Sequence, residues 1–432
     1  MLAKRIIMNE LHSQNRISYQ PSKDDDSNFT LDIGMKHDFS CFALWNGALE
    51  RADDIVADLH REFQIIADFE VHWTKEFYRQ NIARFYERPV PEGPFIDWDS
   101  KIGPTPFRFL IIRDPQPRYT WKKSVSGRIE PSNENVVKAK YRYRDFFTKK
   151  YQVHSSNNID EFLFQAVMLL GVNRLLHALD NPSTELQILE KDLEGHDGWS
   201  SWQHLFDVLN IGARYLVLRN FEGLPKQLLD QDVDFLCDNY QRLASLCAVM
   251  QKSSQPYKGK VKVAGEGIDV NIRYVGDKYY PAAWQIDMLR RRHLDDGFFM
   301  PAPDDRFFSV LYHCKAQKLQ VKSKHVPELS ALATELRFDW FDCAVLSDDK
   351  ECGKILAGYM GARGFYYEDP VDKAVQKNWP VIEHLPKCEP KDQKRNLVQN
   401  FGLAILHPNK AKDFAMRKLK VQVERLFMRS GS

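Results

Sequence analysis

None of the seven cysteines (Cys41, Cys237, Cys247, Cys314, Cys343, Cys352 and Cys388) falls in a C-x-x-C pair. An odd, scattered set of this kind excludes a disulfide framework and a cysteine-built zinc site. Net charge is also scarce, since 61 Lys and Arg stand against 59 Asp and Glu. No global field therefore draws the chain to nucleic acid, which stays an unfavoured partner, and charge recognition must come from local patches. No run approaches the roughly 20 apolar residues of a membrane-spanning helix, and the opening MLAKRIIMNELHSQ lacks the apolar centre of a signal peptide. A cytoplasmic protein is expected.

What remains is an ordinary globular composition, 43% hydrophobic and 28% charged, over 432 residues. That length exceeds what one hydrophobic core serves, so two or three domains are expected. Residues 1–37 read as a loose lead-in, because QNRISYQPSKDDDSNFTLDIGMKH is polar and broken by Pro and Gly. From Asp38 the texture changes. FSCFALW reads as a strand, and ADDIVADLHREFQII has helical spacing at Ile55, Val56, Leu59, Phe63 and Ile66. A helix at WTKEFYRQNIARFYE, a strand at FRFLIIRD and a helix at DEFLFQAVMLLG follow, which is α+β texture and not a repeat array.

The polar stretch HALDNPSTELQILEKDLEGHDG separates this block, residues 38–185, from a second unit at 199–340. There the pattern is helix, strand (RYLVLRN), turn (FEGLPKQLLDQ), strand (DVDFLC), helix (NYQRLASLCAVM) and a strand pair (KVKVAGEGIDVNIRYVG). Residues from about Asp287 to Glu351 read as mostly helical. A small module is expected over 341–400, and a tail over 401–432.

The segment QDVDFLCDN, Gln231 to Asn239, carries the sharpest chemistry. Residues i and i+2 of a strand share a face, so Asp232 and Asp234 point the same way. Two carboxylates so spaced suit Mg²⁺, which takes carboxylates plus substrate phosphates in preference to a closed protein cage. A third acid is expected from a neighbouring strand, and GIDVNIRYV offers Asp269. The structural alternative is an edge strand that merely begins with two aspartates.

This arrangement resembles the polymerase-beta-type nucleotidyltransferase superfamily over roughly residues 199–320. The resemblance implies a two-metal Mg²⁺ site in which Asp232 and Asp234 bind the metals that carry a nucleoside triphosphate such as ATP. Asp269 would share the catalytic metal and help deprotonate the acceptor hydroxyl. Where the family has a Gly-Ser dipeptide to cradle the triphosphate, this chain has LRNFEGLP. Arg219 and Asn220 stand near that place as nucleotide-binding candidates, Arg219 as a fork of donors.

A second resemblance covers about residues 38–175. YRYRDFFTKKYQVHSSNNIDEFLFQAVMLL is similar to the nucleoside diphosphate kinases, with His154 at the phospho-acceptor position, Ser156 at the family's serine and Asn157 at its aspartate. Phosphohistidine chemistry needs an exposed imidazole nucleophile and cations around the triphosphate. Arg128, Arg142 and Arg144 are the candidate phosphate ligands. The family's first-strand lysine has no counterpart in ALWNGALE, and its histidine-orienting glutamate is replaced by Gln165. The resemblance thus implies a ferredoxin-like fold kept without the classical turnover. The alternative for VHSSNN is a turn in which Ser156 or Asn157 caps the next helix.

Between Lys410 and Arg429 seven basic residues (Lys410, Lys412, Arg417, Lys418, Lys420, Arg425, Arg429) accompany Met416, Leu419, Val423, Leu426 and Phe427 at helical spacing. A basic amphipathic helix of this kind packs on its own protein, lies peripherally on the inner face of a membrane, or meets RNA phosphates.

The expected protein is α+β, a kinase-type domain followed by a nucleotidyltransferase-type mixed sheet with helices. The expected function is Mg²⁺-dependent nucleotidyl or phosphoryl transfer from a nucleoside triphosphate to a small acceptor, such as a sugar phosphate or surface-polysaccharide precursor. Two alternatives stay open: a toxin-like or defence nucleotidyltransferase acting on tRNA or protein, and an inactive nucleotide-binding module.

Overall fold

The computed structural model describes residues 30–31, 37–88, 98–123, 129–251, 257–319 and 321–388. The basic tail, Arg128 and nearly all of the expected lead-in lie outside the described residues. The fold is α+β, built on two five-stranded sheets.

The first sheet comprises β1 (Asp38–Leu44), β2 (Gln64–His72), β3 (Phe107–Asp114), β4 (Val153–Ser155) and β5 (Leu186–Glu190), in the order β4-β1-β3-β2-β5. Only the β2–β5 pair is parallel. Both faces of this sheet are covered, so its central strands read as continuous apolar runs. Phe42 and Leu44 of β1 and Leu110 and Ile112 of β3 enter a core under helices α1 (Ala52–Glu62) and α3 (Glu134–Arg144). Cys41, Ala43, Phe109 and Ile111 enter the opposite core, which they share with α2 (Tyr78–Phe85), α4 (Ile159–Leu170) and α5 (Val172–Asp180).

Two segments differ from the sequence reading. The helix ends at Glu62, and the QII that prolonged its apolar spacing begins β2. The stretch read as a polar separator, which begins at His177, contains the last turn of α5 and the edge strand β5. Asn158, not Ser156 or Asn157, caps α4, its side chain accepting from the Glu161 amide at 3.0 Å. At the other end Gly171, with φ +74°, lets the chain turn sharply into α5. Helices α4 and α5 are bent by 115°, and no single helix among the described residues is long and apolar enough to cross a membrane.

The second sheet has β6 (Tyr215–Arg219), β7 (Asp232–Cys237), β8 (Met250–Gln251), β9 (Lys258–Val263) and β10 (Glu266–Tyr274), in the order β8-β9-β10-β7-β6. Strands β7 and β10 run parallel, and the other pairs are antiparallel. One face packs on α6 (Trp202–Gly212) and α7 (Tyr240–Leu246) through Tyr215, Val217, Val233 and Phe235, in the same core that holds α4 and the first sheet. The other face meets α8 (Ala282–Arg291), α9 (Pro303–Lys315), α10 (His325–Glu335) and α11 (Asp349–Ala362) through Leu216, Leu218 and Leu236. Residues 341–388 belong to this core: Phe365 stacks on Trp284 at 5.8 Å and Tyr359 on Phe308 at 3.8 Å. Between α8 and α9 the region read as helical contains a hairpin, His293–Asp295 with Phe298–Met300.

Candidate functional site

On the face of the second sheet toward α8–α11, strand β7 changes character within two residues. Leu236 is buried among apolar side chains, whereas Asp234 and Asp232 lie at the end of the strand where that cover stops. The parallel partner β10 places Asp269 directly opposite Asp232, and Asn271 opposite Asp234. On the far side β6 sets Arg219 opposite Asp234. Strand β9 alternates, with Gly259, Val261 and Val263 inward and Lys258, Lys260 and Lys262 outward. It therefore sets Lys258 beside Asn271 and Lys260 beside Asp269. Two rows cross the sheet on one face: Lys258, Asn271, Asp234, Arg219, and next to it Lys260, Asp269, Asp232.

The side chains use this register. Asp232 accepts from Asn220 Nδ2 at 2.9 Å and from Asn271 Nδ2 at 2.7 Å. Burial, and then the charges of Asp234 and Asp230, raise its carboxyl above the ordinary range. Asp234 is buried and its Oδ2 lies 2.7 Å from Arg219 Nε. That guanidinium also donates to Tyr279 and Tyr280, each at 3.2 Å. Asp269 is half-exposed, with Lys260 Nζ at 3.5 Å. Lys324 reaches over from α10's N-terminal side to Asn220 Oδ1 at 3.1 Å and Asp230 Oδ2 at 2.5 Å. The three acids anticipated from the sequence thus share one end of one sheet face. They do not form a ready cage, for no group of three acid, His or Cys ligands is gathered closely enough to hold a metal among the described residues.

The turn after β6 differs from a phosphate cradle. Asn220 takes the left-handed conformation, φ 60°, and turns its amide onto Asp232. Gly223 also has positive φ, and a Cβ there would meet the Gln227 carbonyl oxygen at 2.6 Å. The amides of Leu224, Lys226 and Gln227 bond to Phe221 and Gly223 carbonyls inside the turn itself. Those donors are not free to face a ligand.

The kinase-type candidates lie in the first sheet and form a separate cluster. His154, on β4, is 8% exposed, and its ring meets Phe85 and Tyr86 edge-on at 5.5 and 5.3 Å. Its Nε2 contacts the Gln165 side chain, with Oε1 at 3.1 Å and Nε2 at 2.8 Å. Burial first, and then the charge of Lys140, pull its pKa down to about 3, so the imidazole is neutral at neutral pH. Ser156 is fully buried and its hydroxyl accepts from the Cys41 amide at 3.1 Å. Arg144 donates to the Val153 carbonyl at 2.8 Å, close enough that its charge also disfavours a protonated His154. Arg142 faces elsewhere, paired with Asp58 at 2.7 Å and Glu62 at 2.8 Å.

Sequence reasoning passed over Lys140 and Glu161 beside His154, and Asn271, Lys258 and Lys260 beside the acids. The signal for the last three was present: K-G-K-V-K-V followed by G-I-D-V-N-I has the period of two that sets lysines across from Asp269 and Asn271. No protein-family model matches this chain, and no curated protein matches it in sequence.

Proposed function

We propose that the acid-bearing end of the second sheet carries out Mg²⁺-dependent nucleotidyl or phosphoryl transfer from a nucleoside triphosphate to a small acceptor such as a sugar phosphate or polysaccharide precursor. The observation behind this reading is the in-register pairing of Asp232 with Asp269 on parallel strands, with Asp234 on the same face. The parallel pair β7–β10 beside antiparallel β6 agrees with the likeness to polymerase-beta-type nucleotidyltransferases. In the first half, the antiparallel order β4-β1-β3-β2 agrees with a ferredoxin-like, kinase-type sheet, although helix α2 stands between β2 and β3 where the simple βαββαβ succession has none.

Asp232 and Asp269 fit a divalent cation, because the negative charge crowded around Asp232 is what such an ion relieves. When bound, it would neutralise phosphate charge and sharpen the acceptor hydroxyl as a nucleophile. Asp234 has one oxygen engaged by Arg219, so these residues fit one cation better than two. Asn220 and Asn271 orient the Asp232 carboxylate, and Arg219 fixes Asp234. The enclosed, neutral His154 supports a first half that does not pass phosphate through histidine.

The test uses Asp232→Asn and, separately, Asp269→Asn. Asp234→Asn is a poorer choice because it strands the buried Arg219 charge. With labelled nucleoside triphosphates, Mg²⁺ and sugar-phosphate acceptors, each variant should lower release of the leaving group, pyrophosphate for nucleotidyl transfer or nucleoside diphosphate for phosphoryl transfer, on the order of 100-fold or more. Folded variants that release it at the wild-type rate would remove the proposal. The Arg219–Asp234 pair and the self-bonded turn favour one second reading, a binding module without turnover. That reading expects triphosphate binding without release of either leaving group in the wild-type protein.

A further inference from the structure

Apart from the acid face and the His154 cluster, three side chains meet where the chain enters α6. Trp199 bridges the end of β9, its amide donating to the Lys262 carbonyl and its carbonyl accepting from the Ala264 amide, each at 2.8 Å. Its buried indole donates to the Cys247 carbonyl at 3.0 Å. The Ser201 hydroxyl caps α6, accepting from the His204 amide at 3.1 Å. Between these two fixed residues Ser200 is exposed. Glu194 is anchored from the other side: its amide donates to the Met168 carbonyl of α4 at 2.8 Å, and its own carbonyl accepts from Arg84 at 2.6 Å.

His204 joins Glu194 to Ser200. Its Nε2 lies 3.0 Å from Glu194 Oε2 and its Nδ1 lies 3.1 Å from the Ser200 hydroxyl, while its ring sits edge-on to Trp199 at 5.0 Å. Burial alone would raise the Glu194 carboxyl, but its bonds to His204 and to Lys191, the latter at 2.5 Å, bring it down to about 2. It is therefore an anion that only accepts, and it keeps the imidazole proton on Nε2. The lone pair is then on Nδ1, and the Ser200 hydroxyl donates to it. A nucleophile, a base within hydrogen-bond reach and a carboxylate that orients the base are the parts that acyl transfer needs. The amides of Trp202 and Gln203, which have no helical acceptor, come next in the chain as donors for a developing oxyanion.

We propose that Ser200, His204 and Glu194 form a second catalytic site, independent of the acid face, that hydrolyses small carboxylic esters. Ser200 Oγ attacks the ester carbonyl carbon and gives its proton to His204 Nδ1. The bond from that carbon to the alcohol oxygen breaks, and the alcohol leaves with the proton. Water then attacks the acyl-Ser200 carbonyl, a proton passes through Nδ1 to Ser200 Oγ, and the carboxylic acid departs. Ser200 and His204 are the catalytic residues, and Glu194 is a positioning residue that acts through the ring.

The experiment treats the full chain with a fluorophosphonate, which labels serines activated by a base, and maps the label by peptide mass spectrometry. Hydrolysis of p-nitrophenyl acetate is followed beside it. The label should fall on Ser200. Ser200→Ala should abolish it, and His204→Gln should slow labelling and hydrolysis about 100-fold, both with unchanged melting temperatures. Nitrogen-15 spectra of the wild type at pH 8 should show His204 protonated on Nε2. Glu194→Gln should mix the two tautomers and slow labelling about tenfold or more, a change of tautomer that a merely structural carboxylate would not produce. An unlabelled Ser200 in the wild type, labelling of His204→Gln at the wild-type rate, or a wild-type His204 protonated on Nδ1 overturns the proposal. Should a variant prove unfolded, the position of the wild-type label and the wild-type tautomer decide the matter without it.

Discussion

At the scale of single residues, His154 shows how environment decides chemistry. Its position in VHSSNN matches a phosphate acceptor, but β4 packs between β1 and the α4 layer, and the ring is shut in by Phe85, Tyr86 and Gln165. An unperturbed imidazole titrates near 6.5, and burial with the Lys140 charge brings this one to about 3. Between those values the unfolded chain binds the proton and the folded chain does not. Stability therefore falls as pH drops through this window, by at most about 1.4 kcal/mol per pH unit for one group. Glu161 acts in the opposite sense nearby, since burial and then Glu130 raise it to about 7. Its folded form keeps a proton that the unfolded form has lost above 4.5, so its contribution weakens as pH rises toward 7. His154→Gln should flatten only the acid-side loss, measured by urea unfolding from pH 6.5 to 4. An NMR titration supplies the direct check: the His154 ring nitrogens should keep neutral-imidazole shifts from pH 8 to 5, moved only slightly as Glu161 3.8 Å away takes up its proton, and conversion to imidazolium shifts with a midpoint near 6.5 would refute the enclosed, neutral ring.

Among elements, α2 and α7 are joined by a residue with no obvious role in sequence. Arg84 is fully buried, and its guanidinium donates to the Ser245 carbonyl at 2.8 Å, the Leu246 carbonyl at 3.2 Å and the Glu194 carbonyl at 2.6 Å. Two of these are carbonyls of the last turn of α7, at the negative end of the helix dipole, and that of Ser245 also accepts from the Ala248 amide at 3.2 Å. Arg84→Met should cost on the order of 3 kcal/mol, because it removes the buried charged donor that the Ser245, Leu246 and Glu194 carbonyls share. Arg84→Lys should recover only part of that loss in chemical denaturation, since one ammonium cannot span three carbonyls as a planar fork does. Full recovery by lysine would show that charge alone, without the fork, holds the joint.

The same scale explains which elements were legible. Strand β7 was, because Asp232 and Asp234 alternate with Val233 and Phe235, and β9 with β10 was, because a glycine-containing turn separates two runs. Strand β2 was not. Both faces of the first sheet are covered, so IIADFEV loses its alternation, and Ile66 happens to continue the helical spacing of α1. Strand β5 hid for the opposite reason. It is an edge strand with Leu186 and Ile188 exposed, and its polar flanks read as a separator. The acid trio was legible as a pattern, but the Arg219–Asp234 pair was not, since it depends on which residue β6 sets opposite Asp234.

At the scale of the molecule, the described residues stack as helices α1 and α3, the first sheet, a middle helix layer, the second sheet, and helices α8–α11. Layered cores of this kind normally divide where two domains meet. Here one core cluster runs from Cys41 of β1 through α4 to Val233 and Val270 of the second sheet. Helix α4 serves both halves: every residue from Phe162 to Leu170 is buried, as a helix apolar all round requires. The approach is close, for a Cβ on Gly212 of α6 would meet Val167 of α4 and Leu246 of α7 at 3.0 Å each. Glu87, just past α2, adds an ion pair across the same layer to Arg242 at 2.9 Å and a hydrogen bond to Asn239 at 3.2 Å, at the start of α7 where β7 ends. The halves should therefore unfold together. Calorimetry of the full chain should give one transition for the described core, and Gly212→Val, which wedges the middle layer, should lower that single transition without splitting it. Chains cut near residue 195 should each expose the apolar face that α4 or α6 now covers and bind a hydrophobic dye. Two resolved transitions, or two cut pieces that each melt cooperatively without dye binding, would establish independent domains and would detach the kinase-type cluster around His154 from the acid face at Asp232.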